Sequence, residues 1–217
     1  MNIAIILAAG GGTRFESETP KQFVEIGSKK IIQYSIDAFE TSQLIDRIII
    51  VVSESFVYEV SAEYPNHMVV AGGNSRKKSS YNGLLSCPAD SKKVLIHDAA
   101  RPFVSQRIIS SCIEALDTHE AVVTSVCGTD TIIRVANGEV VDVEDRDALF
   151  LNQTPQGFEY NTILNAHKNS TQDATDDISL LELDQIKCKI IEGSPNNIKI
   201  TTSADIHTAR SILNLIK

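Results

Sequence analysis

Residues 5–23 read IILAAGGGTRFESETPKQF, and the way the chain leaves its first apolar run decides the fold. Ile3 to Leu7 is short, β-branched and continuously apolar, the pattern of a strand buried on both faces. It exits through Gly10, Gly11 and Gly12. A glycine-rich turn after a buried strand lets backbone approach a ligand closely, and the usual ligand is a phosphate. Arg14 and Lys21 follow on either side of a polar stretch that contains Pro20. The proline disfavours helical geometry at Thr19. The segment is therefore expected to stay extended and wrap a nucleoside triphosphate, with backbone N–H groups near one part and the two cations near the charge.

Working outward, further strand-like runs occur at Asp46 to Val52, Met68 to Ala71, Lys93 to His97 and Ala121 to Val126. Helical spacing fills the intervals at Lys30 to Glu40, Ser75 to Ser86 and Gln106 to Ala115. Strands alternating with helices predict a doubly wound, Rossmann-like α/β sheet, mostly parallel. The rhythm breaks at Thr131 to Asp145, TIIRVANGEVVDVED, where Asn137-Gly138 between two alternating runs predicts a hairpin. Inserted in a parallel fold, it should project as an arm over about residues 131–152 of a single domain spanning residues 1–217. Helical segments are expected at Asn161 to Lys168 and Asp177 to Leu183, then strands at Lys187 to Glu192 and Ile198 to Thr201. A last helix should begin near Ser203, capped by its hydroxyl, with Asp205 favouring the positive end of the dipole.

Two familiar phosphate loops do not fit. Counting from Gly10 and Gly12, Phe15 occupies the third glycine position of the dinucleotide fingerprint. The next strand also arrives about 35 residues on, where the ribose-binding acid of that fingerprint belongs about 20 on. No Gly-Lys-Ser/Thr follows at Walker spacing.

A second cluster, VLIHDAARP at Val94 to Pro102, puts Asp98 and Arg101 just past a strand end, where open α/β sheets bind ligands. Asp98 suits Mg²⁺ or a substrate hydroxyl and Arg101 a phosphate in fork geometry, unless the two simply pair with each other. His97, on the buried strand end, reads better as a residue that orients a neighbour than as a base. Three later segments are bland singly: QTPQ (Gln153 to Gln156) reads as a turn, TDD (Thr175 to Asp177) as a helix start, and Lys199 as a solvated strand residue.

Composition bounds the rest. With 217 residues and 42% hydrophobic content the chain can bury a full core. Its net charge of -8 repels nucleic acid and anionic membrane. Local basic concentrations, Arg14, Lys21 and the run Arg76-Lys77-Lys78, are informative against that background. Cys87, Cys112, Cys127 and Cys188 are scattered without metal-ligand spacing and read as reduced. Met1 leads into the first strand without a basic leader and no apolar run is long enough to span a bilayer, so a cytoplasmic protein is expected.

Taken in order, LAAGGGTRF, PKQF, GGNSRKKS, HDAARPF, Asp130-Thr131, EDR, QTPQGF, TDD and GSPNNIKITTSADI resemble the cytidylyltransferases that make CDP-linked polyols. The resemblance is greatest to those acting on 2-C-methyl-D-erythritol 4-phosphate, with ribitol 5-phosphate or another polyol phosphate as the alternative acceptor. A nucleotide-binding domain that has lost the reaction is the alternative from another class. The resemblance implies that Ala8, Ala9, Gly10 and Gly12 form the CTP loop, with Gly73, Asn74 and Ser79 around cytosine and ribose. It implies that Asp98, Arg101, Thr131 and Thr175 line the polyol-phosphate site, Asp98 also counting on the CTP side. Arg14, Lys21, Arg146 and Lys199 would be the catalytic cations, with Mg²⁺ as cofactor and Asp98 its one candidate protein ligand. It further implies a homodimer that exchanges the arm carrying Arg146. Asn74 stands where the family usually has an acidic residue, and Phe150, Leu151 and Asn152 replace a more usual Trp-x-Ala. Ala100 and Asp176-Asp177 favour the methylerythritol acceptor over ribitol phosphate.

The chemistry so implied needs no general base, because a phosphate monoester with a second pKa near 6 is already largely ionised at neutral pH. The obstacle is repulsion between two anions, and fixed cations are the remedy.

Overall fold

The computed structural model describes residues 1–10, 15, 19–171, 174–182 and 185–216. Its strands are β1 (Asn2–Ala8), β2 (Glu25–Ile26), β3 (Lys29–Lys30), β4 (Arg47–Val52), β5 (Met68–Ala71), β6 (Lys93–Asp98), β7 (Ala121–Cys127), β8 (Ile133–Ala136), β9 (Glu139–Val143), β10 (Phe150–Glu159) and β11 (Cys188–Glu192). Its helices are α1 (Ile31–Glu40), α2 (Val57–Glu63), α3 (Arg76–Leu85), α4 (Gln106–Ala115), α5 (Tyr160–Asn169) and α6 (Asp205–Leu215).

Seven strands form one sheet in the order β11-β7-β10-β6-β1-β4-β5. All run parallel except β10, which is antiparallel to both neighbours, β6 and β7. The alternation of β1 explains the two-faced burial. Ala4, Ile6 and Ala8 pack with Ile32, Ile36 and Phe39 of α1 and with Ile108, Ile109 and Cys112 of α4. Ile3, Ile5 and Leu7 face the other way, towards Leu84 of α3 and Ile163 of α5. A satellite cluster seats Ile206, Ala209, Ile212 and Leu213 of α6 against Ile31, Phe103 and Ile200. The doubly wound α/β architecture expected from the sequence is the one observed.

The hairpin is present as β8 and β9, paired with a register shift between Arg134 and Val135. Its turn residues Asn137 and Gly138 take φ of 53° and 84°, the left-handed pair that a two-residue hairpin turn demands. Every residue of both strands is exposed.

The C-terminal half departs from expectation in five places. The QTPQ segment is not a turn: it lies inside β10, where the pairing with β7 shifts between Asn152 and Gln156 and the Thr154–Pro155 bond is cis. Phe150 already pairs with Cys127, so the arm ends before residue 152. The helix expected at Asp177 to Leu183 is, among the described residues, a single 3₁₀ turn at Ile178–Leu180, because the Asp177 and Ile178 amides are taken by Gln156 Oε1. Ile198 to Thr201 is not a strand, since its tie to the rest is mainly through side chains, with one backbone bond from Ile200 N–H to the Ala100 carbonyl. Finally, Ser203 does not cap α6. The Asp205 carboxylate instead accepts the amides of Thr201 and Thr202, fixing the approach to the helix.

Candidate active site

From β1 the chain moves outward to β4 and β5, then crosses back to β6 on the other side of β1. The crevice beyond the carboxyl ends of β1 and β6 is therefore the topological switch point at which such sheets bind ligands. A cavity of about 290 Å³ opens there. Of the residues singled out from the sequence, Ala8, Ala9, Gly10, Lys21, Gly73, Asn74, Ser79, Asp98 and Lys199 line it. Gly12 and Arg14 lie outside the described residues.

Backbone closeness shapes the nucleotide side. A Cβ at Gly72 would collide with that of Ala9 and stand 2.8 Å from Ser79 Oγ, so only glycine lets the loop after β5 lie against the loop after β1. Ser75 caps α3 by accepting the Lys78 amide, and the Gly73 amide donates to Ser79 Oγ at 3.1 Å. Gly10 is different: among the described residues, a Cβ there would meet nothing within 4 Å. Gln22, which sequence reasoning did not single out within PKQF, is buried and donates to the Ala8 and Gly10 carbonyls at 2.6 and 3.4 Å. It braces the loop from behind. Lys21 donates to the Ile200 carbonyl at 2.9 Å, which joins the first loop to the NNIKITT segment.

Asp98 is the electrostatic centre. Its Oδ2 lies 2.6 Å from Lys199 Nζ and its Oδ1 3.3 Å from Arg76 Nε. Burial opposes its ionisation, but Arg76 and then Lys199 outweigh that and hold the carboxyl well below the usual carboxylate range. Arg101 does not pair with Asp98. Its guanidinium donates to the Asn197 and Asn152 carbonyls at 2.8 and 3.3 Å, stapling β10 to the NNIKITT segment. Asn197 completes that staple by donating to Gln153 Oε1 and the Thr154 carbonyl.

His97 is fully buried and both ring nitrogens are engaged. The Arg101 carbonyl can only accept, so His97 Nε2–H donates to it at 3.0 Å; Nδ1 of the neutral ring then accepts from the Thr154 hydroxyl at 3.1 Å, and that hydroxyl itself accepts the Asp98 amide. This network assigns the neutral Nε2–H tautomer. Burial pushes its pKa down to about 4. His97 orients the turn after β6, in agreement with its sequence reading.

TDD divides its labour. Asp177 is wholly buried, with Oδ2 2.6 Å from Arg76 Nη1 and Oδ1 accepting from Ser80 Oγ at 2.6 Å and His167 Nε2 at 3.0 Å. Burial again opposes ionisation, and Arg76 followed by the two hydrogen bonds depresses its pKa. Asp176 accepts from Asn152 Nδ2 at 2.7 Å, so a residue at which this chain departs from the family pattern anchors the loop. Thr175 is exposed and does not line the cavity. Neither do Thr131 and Arg146, which sit beside the arm; Arg146 is exposed and donates to the Thr129 carbonyl at 3.1 Å. The Arg76–Asp177 pair was not assigned from the sequence; the one signal for it was the basic run beginning at Arg76.

The four cysteines are free thiols. Among the described residues no three His, Cys, Asp or Glu side chains cluster to hold a metal, and no helix is long and apolar enough to cross a membrane.

Comparison with known proteins agrees with this geometry. The profile of the family described as IspD, 2-C-methyl-D-erythritol 4-phosphate cytidylyltransferase, matches residues 2–215. A protein of that name from Clostridium acetobutylicum is 41% identical over 98% of this chain and 97% of its own length. One from Clostridioides difficile (strain 630) is 38% identical over 100% and 95%. The crystal structure of 4-diphosphocytidyl-2C-methyl-D-erythritol synthase from Anaerococcus prevotii DSM 20548 superposes with a TM-score of 0.88 at 30% identity, covering 98% of this chain and 96% of that one. With a switch-point cavity lined by the sequence-predicted loops and a match running nearly end to end, the chain belongs to the 2-C-methyl-D-erythritol 4-phosphate cytidylyltransferase family.

Proposed function

We propose that this chain transfers CMP from CTP to the phosphate of 2-C-methyl-D-erythritol 4-phosphate, releasing pyrophosphate, as a cytoplasmic homodimer in isoprenoid precursor synthesis. The observation that carries the reading is the meeting of the Ala8–Gly10 backbone, Lys21, Asp98 and Lys199 around one cavity. An acceptor phosphate oxygen attacks the α-phosphorus of CTP and forms a P–O bond as the bond to the pyrophosphate oxygen breaks. The nucleophile arrives ionised, so no proton has to move. His97 is unsuited to act as a base, being buried, neutral and occupied at both nitrogens.

In this reading Arg14 and Lys21 hold the triphosphate, while Lys199 and an Arg146 brought by a second subunit hold the incoming phosphate. The lining of the cavity by Lys21 and Lys199, and the exposure of Arg146 beside a projecting arm, support that division. On the arm, Ile133 faces Val143 and Val135 faces Val140, and all four are about half exposed, an apolar surface suited to a second copy of the chain. Asp98 is the one carboxylate among the described lining residues, and both its oxygens face cations. That fits a Mg²⁺ ion held chiefly by phosphate oxygens with at most one protein carboxylate. When bound, the ion supplies neutralisation of the triphosphate charge.

Pyrophosphate release measured with CTP or UTP, and with methylerythritol 4-phosphate or ribitol 5-phosphate, tests this. Turnover should require CTP and be fastest with methylerythritol 4-phosphate. Faster turnover of ribitol 5-phosphate would overturn the acceptor, and no turnover with any pair would overturn the reaction.

A further inference from the structure

We infer that Arg76 is a positioning residue that couples the two halves of the site, gripping the acceptor-side loop through Asp177 while it shares the Asp98 carboxylate with Lys199. The inference rests on the functional reading above, taken with the sides that the family resemblance implies, Gly73 and Asn74 towards the nucleotide and Thr175 towards the acceptor.

One guanidinium spans two carboxylates that the sequence holds far apart. Nε faces Asp98, 22 residues away, and Nη1 faces Asp177, 101 residues away. Arg76 opens α3, immediately after the Gly73–Ser75 loop, so its backbone is fixed by the nucleotide side. Its far end reaches a carboxylate with no solvent exposure, whose other partners, Ser80 and His167, carry no fixed charge to match it. Such an ion network is a poor way to add stability, since well-packed apolar side chains do as well or better. This one also leaves Arg76 Nη2 buried with no partner among the described residues. What the fork provides is geometry: a rigid planar guanidinium presents its donors to two carboxylates in fixed directions, whereas an ammonium on a flexible stem fixes neither direction.

The charge count has a consequence for the acceptor. Arg76 and Lys199 balance Asp98 and Asp177. Without Arg76 the group carries a net negative charge where a dianion must land, and Lys199 is drawn to Asp98 alone rather than offered to the incoming phosphate. The loop bearing Thr175 and Asp176 also loses the cation that holds its buried end.

The test compares Arg76→Gln, Asp177→Asn, their double variant and Arg76→Lys, all first checked for cooperative melting. In Arg76→Gln the acceptor KM should rise about tenfold or more while the CTP KM moves less than about threefold, the split expected when binding on one side alone is lost. Because the two residues act through one ion pair, the double variant should be no worse than Arg76→Gln alone. Without any substrate, amide hydrogen exchange at Asp177 to Leu181 should accelerate by about tenfold in Arg76→Gln. Arg76→Lys should recover part of the acceptor KM but not the exchange protection, and it decides the matter if Arg76→Gln does not fold. An unchanged acceptor KM, unchanged exchange in a folded variant, or additive effects in the double variant would each overturn the inference. A wild-type protein without turnover would defeat the functional reading instead, leaving the exchange result to judge the hold of Arg76 on the loop.

Discussion

Lys21 is held at its backbone by a 3₁₀ turn and at its tip by the Ile200 carbonyl, so its ammonium is fixed before any phosphate arrives. Preorganised charge of this kind is what transition-state stabilisation draws on, and Lys21→Ala should lower kcat by about a hundredfold or more with melting behaviour little changed. Near-normal turnover in a folded variant would remove Lys21 from the mechanism. Gly10 makes a complementary prediction. Its backbone is not left-handed and a methyl group there meets no atom of the described residues within 4 Å, so Gly10→Ala should fold normally yet bind CTP at least about tenfold more weakly, as titration calorimetry would report, if the ligand backbone approach is real. His97 sets a third test. Its folded pKa of about 4 lies below the unfolded value near 6.5, so between those limits the unfolded chain binds the proton and the folded one does not. Stability should therefore fall as pH drops from 6.5 to 4, by on the order of 3 kcal/mol from this residue. Urea midpoints should show that slope in the wild type and a flatter one in His97→Gln. Lys21 and Asp98 were legible in the sequence because each stands in a short motif beside a proline or a strand end, whereas Lys199, bland when read locally, was singled out only through the family resemblance. Arg76 with Asp177 was not, because nothing local announces a partner 101 residues away.

At the scale of elements, the parallel core was legible because β1, β4, β6 and β7 are apolar runs whose period and length leave little choice. The strand β10 escaped for the opposite reason. Its Gln153, Thr154 and Gln156 are buried polar residues whose side chains bond to Ser194, Asp98, His97, Asp177 and Ile178, so the middle of a buried strand carries the letters of a turn. Pro155 reinforced the misreading; its carbonyl accepts from the Thr124 hydroxyl at 2.7 Å in the stretch where the ladder shifts. The last helix was found but its start was misplaced, since Asp205 serves the amides before it rather than Ser203 serving those after it. The arm allows a direct experiment. Val135 and Val140 are paired and exposed, and replacing both with Asp should leave the monomer folded. Sedimentation should then shift from dimer to monomer at micromolar concentration and turnover should fall at least about tenfold, if Arg146 crosses between subunits. A dimer of full activity would separate the arm from both assembly and catalysis.

For the molecule as a whole, acid stability follows from the same charges that shape the site. Asp98, Asp177 and Asp205 all have folded pKa values below their ordinary ones: burial opposes ionisation in each, and Arg76 at the first two and the Thr201 and Thr202 amides at the third outweigh it. A depressed carboxylate contributes stability that is complete above its unfolded value and is lost as pH falls through the folded one. Below about pH 4 the protein should therefore lose stability in a second stage, beneath the one set by His97. Asp177→Asn should shrink that second stage and leave the first, which urea titrations at stepped pH would resolve. The sheet order also has a consequence for a chain being made from its N-terminus. β1, β4, β5 and β6 are mutual neighbours and can zip together as they emerge, whereas β7 reaches solvent with its place beside β6 barred, because that place belongs to β10. At elongation speeds of roughly 5–20 residues per second, the arm and β10 follow β7 by on the order of seconds. For that interval an apolar ribbon waits on the ribosome for a partner not yet translated, and this is the moment at which a chaperone would have most to shield.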